Sequence, residues 1–346
     1  MKKLITIIAV VVALAGGQAS ALYFVDIGTP LSEAAFSPVG WGPIQPDTSG
    51  GSWGGIAADP LSPDGKCRVI WDLSDDDPSA SLTFPATSIT ALAVRHLKGL
   101  ANDSFDVQVG AEVWGSVADD VSGSEVWAIS SFSGTPAKKL TLTATDGKWS
   151  GFDTYGQVAI DWVVATQPGE TFQVWTFDDD DNPTVPEINL NTYGTATATI
   201  TGGAAPPEWI STLLERDGVW KAEGLEQVTL EIPNQMIRNP YKELCIEIGF
   251  LGDLANFSVF PQPFGGTVDL VTQNVELVDP INNWKKLTAS YRIAPNPDSE
   301  SVCYSFSGNV AAIDYVIAYT VCVPEPLTIS LLGFGGLMLW RRRRAA

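Results

Sequence analysis

Three groups of residues in this sequence have the types and spacings that do chemistry: aromatics set in a turn, clustered carboxylates, and a few cysteines. The segment 146–156, Asp-Gly-Lys-Trp-Ser-Gly-Phe-Asp-Thr-Tyr-Gly, lies between two β-type apolar runs and sets Trp149, Phe152 and Tyr155 among glycines and polar groups. Flat rings shown at the end of a sheet suit sugar rings. The apolar C–H faces of the sugar stack on the aromatic faces, while neighbouring Asp and hydroxyl side chains bond the sugar hydroxyls. The competing reading has the same rings capping a core, because Trp and Tyr are largely buried in ordinary domains. Trp114 and Trp127, on neighbouring β-type runs, are expected in the core.

Three acidic runs stand out: 75–77, Asp119 with Asp120, and 178–181 followed by Asn182. Clustered carboxylates repel one another unless water or a hard cation separates them, and calcium takes six to eight oxygens from such loops. Asp178, Asp180 and Asn182 have the alternate spacing of the first ligands of a calcium-binding helix–loop–helix. The remainder departs from it, with Pro183 where that loop needs Gly and Asn189 where it needs a bidentate Glu. The two readings left open are a looser calcium site and a solvated turn.

Catalytic constellations are scarce. His96 is the only histidine, so any Ser-His-Asp, Cys-His or multi-histidine metal site would have to form around it, and its place in an apolar β-type run marks a structural side chain. Glycoside hydrolysis needs only two facing carboxylates, which a chain this acidic supplies without marking a pair. Neither Gly-rich phosphate loop occurs. Cys67, Cys245, Cys303 and Cys322 have no C-x-x-C spacing, which argues against zinc and thiol redox chemistry. In an exported chain they fit disulfides, with Cys303–Cys322 or Cys245–Cys322 as the expected bridge.

These residues must be carried by β-structure. Helical periodicity is nearly absent, whereas β-branched and aromatic runs recur between Gly, Pro, Asp and Asn, the pattern of sandwiches and barrels. One set of expected strands covers 68–73, 88–94, 104–109, 125–130, 139–145, 157–165 and 171–177. A second covers 227–232, 243–249, 267–271, 274–278, 285–293, 301–307 and 309–320. Between them the small and proline residues of 201–207 read as a linker. The expected organisation is a signal peptide over 1–21, a β-sandwich over 22–200, the linker, a second β-sandwich over 208–322 and a tail over 323–346.

Each half contains Lys-Lys-Leu-Thr, at 138–141 and 285–288, followed by a closing run: Ala159-Ile-Asp-Trp-Val163 in the first and Ala312-Ile-Asp-Tyr-Val316 in the second. The closing Ile-Asp-(Trp/Tyr)-Val strand resembles the terminal strand of galactose-binding-like jelly rolls, a family that includes many carbohydrate-binding modules. That resemblance implies two jelly-roll-like sandwiches.

The chain ends state where it goes. Lys2 and Lys3 precede an apolar stretch of about a dozen residues, short of the ~20 that span a membrane, and Ala19-Ser20-Ala21 forms a signal-peptidase site. At the other end Pro324, Glu325 and Pro326 precede an apolar run over 327–340 and then Arg341, Arg342, Arg343 and Arg344. Arginines in this position snorkel to the headgroups and stay on the cytoplasmic side, which puts the body outside on a single short transmembrane helix. Glycines 333, 335 and 336 let that helix pack closely against another. The Pro-Glu-Pro, helix and arginine order closely resembles the sorting signal of bacterial PEP-CTERM proteins. The resemblance implies cleavage near that motif by the membrane protease exosortase, after an inner-membrane intermediate, and transfer to the cell surface or medium.

The ends take six of 20 basic residues and one of 40 acidic residues, leaving 14 against 39 and a net charge of about −25 between them. That charge argues against nucleic acid and anionic lipid surfaces as partners. The family resembled is commonly linked to exopolysaccharide production, so the expected function is non-enzymatic: polysaccharide binding or a structural role in the envelope or matrix. The alternatives are a glycan-active hydrolase or lyase using paired carboxylates, and a purely structural surface-layer protein.

Overall fold

A computed structural model describes residues 23–26, 44–46, 66–71, 79–84, 88–98, 104–118, 126–145, 157–203, 205–236, 240–262 and 266–323. The signal peptide, the sorting tail, the acidic runs 75–77 and 119–120 and the aromatic segment 146–156 lie outside these residues. The described part is all-β, as the periodicity requires. Its first strands are β1 (Tyr23–Asp26), β2 (Ile44–Pro46), β3 (Lys66–Trp71), β4 (Ser79–Thr83), β5 (Ile89–Lys98), β6 (Phe105–Val109), β7 (Glu112–Val117), β8 (Val126–Ala137), β9 (Lys139–Ala144) and β10 (Gln157–Thr166). There follow β11 (Glu170–Trp175), β12 (Ile188–Leu190), β13 (Thr197–Gly202), β14 (Glu208–Leu213), β15 (Arg216–Pro233), β16 (Tyr241–Gln262), β17 (Thr267–Asp279), β18 (Trp284–Ala294) and β19 (Ser299–Val323).

The first sandwich pairs the sheet β4-β9-β6-β7 with the sheet β2-β3-β10-β5-β8, to which β1 adds beside β10. Leu82, Phe84, Phe105, Val107 and Leu142 from one sheet meet Leu92, Val94, Ile160 and Val163 from the other. The outer strands alternate as a half-solvated sheet must, β9 having buried Leu140, Leu142 and Ala144 separated by partly exposed residues. In contrast β5 is buried on both faces over Ala91–Leu97, because its other face is covered as well.

That cover is the second sandwich. Ala91, Ala93, Trp162 and Val164 of the first pack on Phe172, Val174, Ile188, Leu190, Tyr315, Ile317 and Tyr319 of the second. Two sandwiches therefore stack back to back through an apolar layer, and fully burying each large side chain there contributes about 1.5–3 kcal/mol.

The second sandwich is one nine-stranded sheet folded over on itself. In β19 residues 299–308 pair with the second halves of β15 and β16, while residues 311–323 pair with the start of β16, with β11 and, at 311–313, with β15. The fold line runs through glycines. Gly224 stands opposite Gly308, and Gly224 and Gly252 have φ of 86° and 109°. A Cβ on Gly252 would lie 2.8 Å from the Ser307 carbonyl oxygen, so only glycine turns this corner. The fold encloses Leu230, Ile232, Leu244, Ile246, Tyr291, Val302, Tyr304 and Phe306 in one core.

Several sequence expectations change here. The runs 301–307 and 309–320 are one strand, as are 267–271 and 274–278; Gly308 bends the first of these continuous strands and a bulge between Leu270 and Thr272 interrupts the register of the second. The chain changes sandwich at 167–169, because β11, β12 and β13 pair with strands of the second sheet. The segment 201–207, expected as an inter-domain linker, joins β13 to β14 inside that sheet.

Candidate functional site

The strand registers define one end of the first sandwich. Phe105 at the start of β6 lies opposite Ala144 at the end of β9 and opposite Val117 at the end of β7. Ser79 at the start of β4 pairs with Thr143, Gln157 at the start of β10 pairs with Trp71 at the end of β3, and Val126 at the start of β8 pairs with Lys98 at the end of β5. The ends of β3, β5, β7 and β9 thus lie with the starts of β4, β6, β8 and β10. The sequences joining these ends carry Asp75–Asp77, Asp119 with Asp120, and Trp149, Phe152 and Tyr155, which fall outside the described residues. The described base of this end is closed by Thr145, whose N–H donates to the Ser104 carbonyl at 3.1 Å and whose hydroxyl donates to Ser104 Oγ at 3.1 Å.

Trp114 and Trp127 are half-buried rather than sealed in the core. The Trp114 indole lies over Gly134, where a Cβ would come within 2.4 Å of Nε1. The Arg95 guanidinium sits 6.0 Å from the Trp127 ring centroid.

His96 is used internally. It is buried against the edge of Phe105, its Nε2 is 2.9 Å from Ser130 Oγ and its Nδ1 is 3.3 Å from the Leu97 carbonyl oxygen. Burial removes the water that would solvate an imidazolium and holds its pKa down at about 4. The ring is neutral at pH 7.

Asp178 and Asp180 stand exposed on the β11–β12 connection. Asn182 is engaged with the backbone of β13: its Nδ2 donates to the Ile200 carbonyl at 2.6 Å and its Oδ1 accepts the Ile200 N–H at 2.9 Å. The half-buried neighbour Glu187 holds this turn by accepting the Thr176 N–H at 2.8 Å. Among the described residues no group of three or more His, Cys, Asp or Glu is placed to hold a metal.

No disulfide joins the described cysteines. Cys245 lies opposite Tyr319 and Cys322 opposite Lys242. That offset is an odd number of residues, so the two thiols project from opposite faces. Cys303 lies opposite Thr229 and Ser258 on the first half of β19 and Cys322 opposite Lys242 on the second half, and no disulfide joins them.

Glu226 carries no sequence signal because its spacing on β15 is that of a core residue. It follows the same face as Val228, Leu230 and Ile232, it is fully buried and neither carboxylate oxygen has a hydrogen-bond partner. Desolvation alone pushes its pKa up to about 9, so the group is a neutral acid at pH 7.

No family model matches the chain. No curated protein matches it either. Among solved structures it is similar to a Paenibacillus xanthan lyase, at 16% identity and a TM-score of 0.29 over 89% of this chain and 26% of that one. It is similar to the M60 catalytic domain with two CBM51 domains from Clostridium perfringens ZmpB, at 9% identity and a TM-score of 0.27 over 84% of this chain and 39% of that one. Discoidin II from Dictyostelium discoideum matches at 8% identity and a TM-score of 0.20, over 85% of this chain and 97% of that one. The chain spans about a quarter and two-fifths of the first two proteins' lengths, and superpositions this loose assign no residue of it a role.

Proposed function

We propose that this chain is an exported, non-enzymatic polysaccharide-binding protein of the bacterial envelope or extracellular matrix, sorted by its Pro324-Glu325-Pro326 tail and released by an exosortase-type membrane protease. The binding site is the loop-bearing end of the first sandwich, with Trp149, Phe152 and Tyr155 as the stacking surface. The observation that carries this reading is the convergence of strand ends. The aromatic segment and the acidic runs 75–77 and 119–120, far apart in sequence, all connect strands at one end of one sandwich. Aromatic faces beside carboxylates are the groups a sugar needs, and the carboxylates could also hold calcium outside the cell.

The engagement of His96, the lone histidine, in core hydrogen bonds favours binding over nucleophilic catalysis. The back-to-back sandwiches give that end a rigid support, since a large apolar interface suppresses relative motion. A glycan-array and polysaccharide pull-down screen of the exported protein, run with calcium and again with EDTA, tests the reading. Retention on at least one polysaccharide is expected, and loss of it in EDTA would make the acidic runs calcium ligands. Failure to retain any polysaccharide in either condition would replace this reading with a structural surface-layer role.

A further inference from the structure

The second sandwich buries a lysine, a carboxylate and a carboxamide in mutual contact. Lys242 and Glu300 are wholly buried and Asn234 is 3% exposed. Lys242 Nζ lies 2.6 Å and 2.9 Å from the two Glu300 oxygens and also contacts Asn234 Oδ1. Asn234 Nδ2 contacts Glu300 Oε2 and donates to the Pro297 carbonyl at 3.2 Å. All three side chains project from core-facing positions: Lys242 shares its face with Leu244 and Ile246, Glu300 with Val302 and Tyr304, and Asn234 with Ile232 and Leu230.

We propose that Lys242 and Asn234 become joined by an intramolecular isopeptide bond, which the folded protein forms on itself with Glu300 moving the protons. Nζ contacts Oδ1, the oxygen bonded to the carboxamide carbon Cγ that it would attack. Glu300 touches both nitrogens whose proton count must change, the one that attacks and the one that leaves. A proton passes from the Lys242 ammonium to Glu300, and the freed amine attacks Asn234 Cγ. The tetrahedral centre then collapses with cleavage of the Cγ–Nδ2 bond. Nζ gives a second proton to Glu300 as Glu300 protonates Nδ2, and ammonia departs. An ammonium, a carboxylate and a primary amide become a secondary amide, a carboxylic acid and ammonia, with charge and hydrogens balanced and no external reagent.

Proximity supplies the barrier reduction. Groups held in reacting geometry gain effective molarities of about 10⁵ M or more, and the dry surroundings remove the water that would solvate the lysine charge. A Lys–Glu pair held only as a buried ion pair is weak evidence for stability, since desolvation offsets the attraction; conversion to an amide removes both charges. The bond would span the sandwich at a useful place. Lys242 opens β16 in the inner layer, while Asn234 follows β15 in the outer layer. The sheet is folded at Gly224, Gly252 and Gly308, and the bond would fasten its opposite, open end.

Trypsin cuts at Arg238, between the two residues, so a peptide map of the full chain purified after export decides the matter. The expected product is a branched pair of peptides joined through Asn234 and Lys242, lighter by one ammonia than the two sequences together, with no cleavage after Lys242. The Glu300→Gln protein is expected to yield only linear peptides, with cleavage after Lys242 restored. Linear peptides from the folded wild type would overturn the proposal, whether or not the variant folds. A branched product that persists in Glu300→Gln would overturn the role given to Glu300.

Discussion

Asp161 and Asp314 occupy the same place in two copies of one strand arrangement, each as the extra residue of a β-bulge. Ile160 and Trp162 flank Asp161 and pair with the adjacent His96 and Arg95. Ile313 and Tyr315 flank Asp314 and pair with the adjacent Phe250 and Gly249. Both aspartates are buried, and both bulges lie in the central strand of the order β3-β10-β5-β8 or its counterpart β15-β19-β16-β18. The bulges turn the next aromatics, Trp162 and Tyr315, into the same apolar layer between the sandwiches.

The Asp314 bulge is held by Arg216, whose guanidinium lies 3.7 Å away and is 22% exposed. Asp314→Ala therefore strips a partly shielded pair of its buried partner, with an expected cost of about 1–3 kcal/mol after allowing for solvent at the arginine. Chemical denaturation of the wild type, both single variants and the double variant with Arg216→Ala should show coupling. Additive losses would mean the pair does not stabilise the bulge.

Tyr315 crosses the backbone of Gly249 and donates its hydroxyl to Glu247 at 2.9 Å. A Cβ on Gly249 would approach Tyr315 Cε1 to 2.3 Å, so Gly249→Ala must displace the ring from the layer between sandwiches. A loss of about 1–3 kcal/mol is expected, measured as a lower denaturation midpoint; an unchanged midpoint would show that the ring moves freely.

His96 has a folded-state pKa of about 4 against 6.5 for the free side chain. The folded protein thus refuses a proton that the unfolded chain accepts, and the stability this gives is present above pH 6.5 and lost as pH falls towards 4. Because the chain has one histidine, its imidazole NMR signal needs no assignment. That signal should stay flat from pH 8 to about 5; a midpoint near 6.5 would place the ring in solvent.

Glu226 acts in the opposite sense. Its folded pKa of about 9 lies above the free value of 4.5, so the folded state holds a proton that the unfolded chain releases. Stability is complete below pH 4.5 and declines as pH rises through 9. Glu226→Met keeps the volume without the carboxyl and is expected to gain about 1–4 kcal/mol at pH 8, with the gain shrinking towards pH 4.5. Parallel pH profiles for the two proteins would refute the buried acid.

Much of this architecture was legible in the sequence, and the limits have physical reasons. Strands such as 157–165 and 104–109 announced themselves by β-branched runs between turn residues. The echo around Asp161 and Asp314 pointed to a repeated central strand, but its Lys-Lys-Leu-Thr half did not repeat: residues 139–141 lie on β9 of the outer sheet and residues 285–288 on β18 of the folded sheet. The long strands were cut short because a glycine that bends a strand reads like one that ends it, as at Gly308. Lys242 and Glu300 were illegible because their contact depends on strands brought together by that fold, and Glu226 because a charged residue at a core position carries no local mark.

The central claim is that the aromatic segment at the loop-bearing end of the first sandwich grips polysaccharide. Its most direct measurement is affinity electrophoresis of the wild type and of a Trp149→Ala/Tyr155→Ala double variant through gels containing whichever polysaccharide retains the wild type. Loss of two stacking platforms at about 1 kcal/mol or more each should weaken retention at least tenfold while the denaturation midpoint stays unchanged. Equal retention of the two folded proteins would contradict the account.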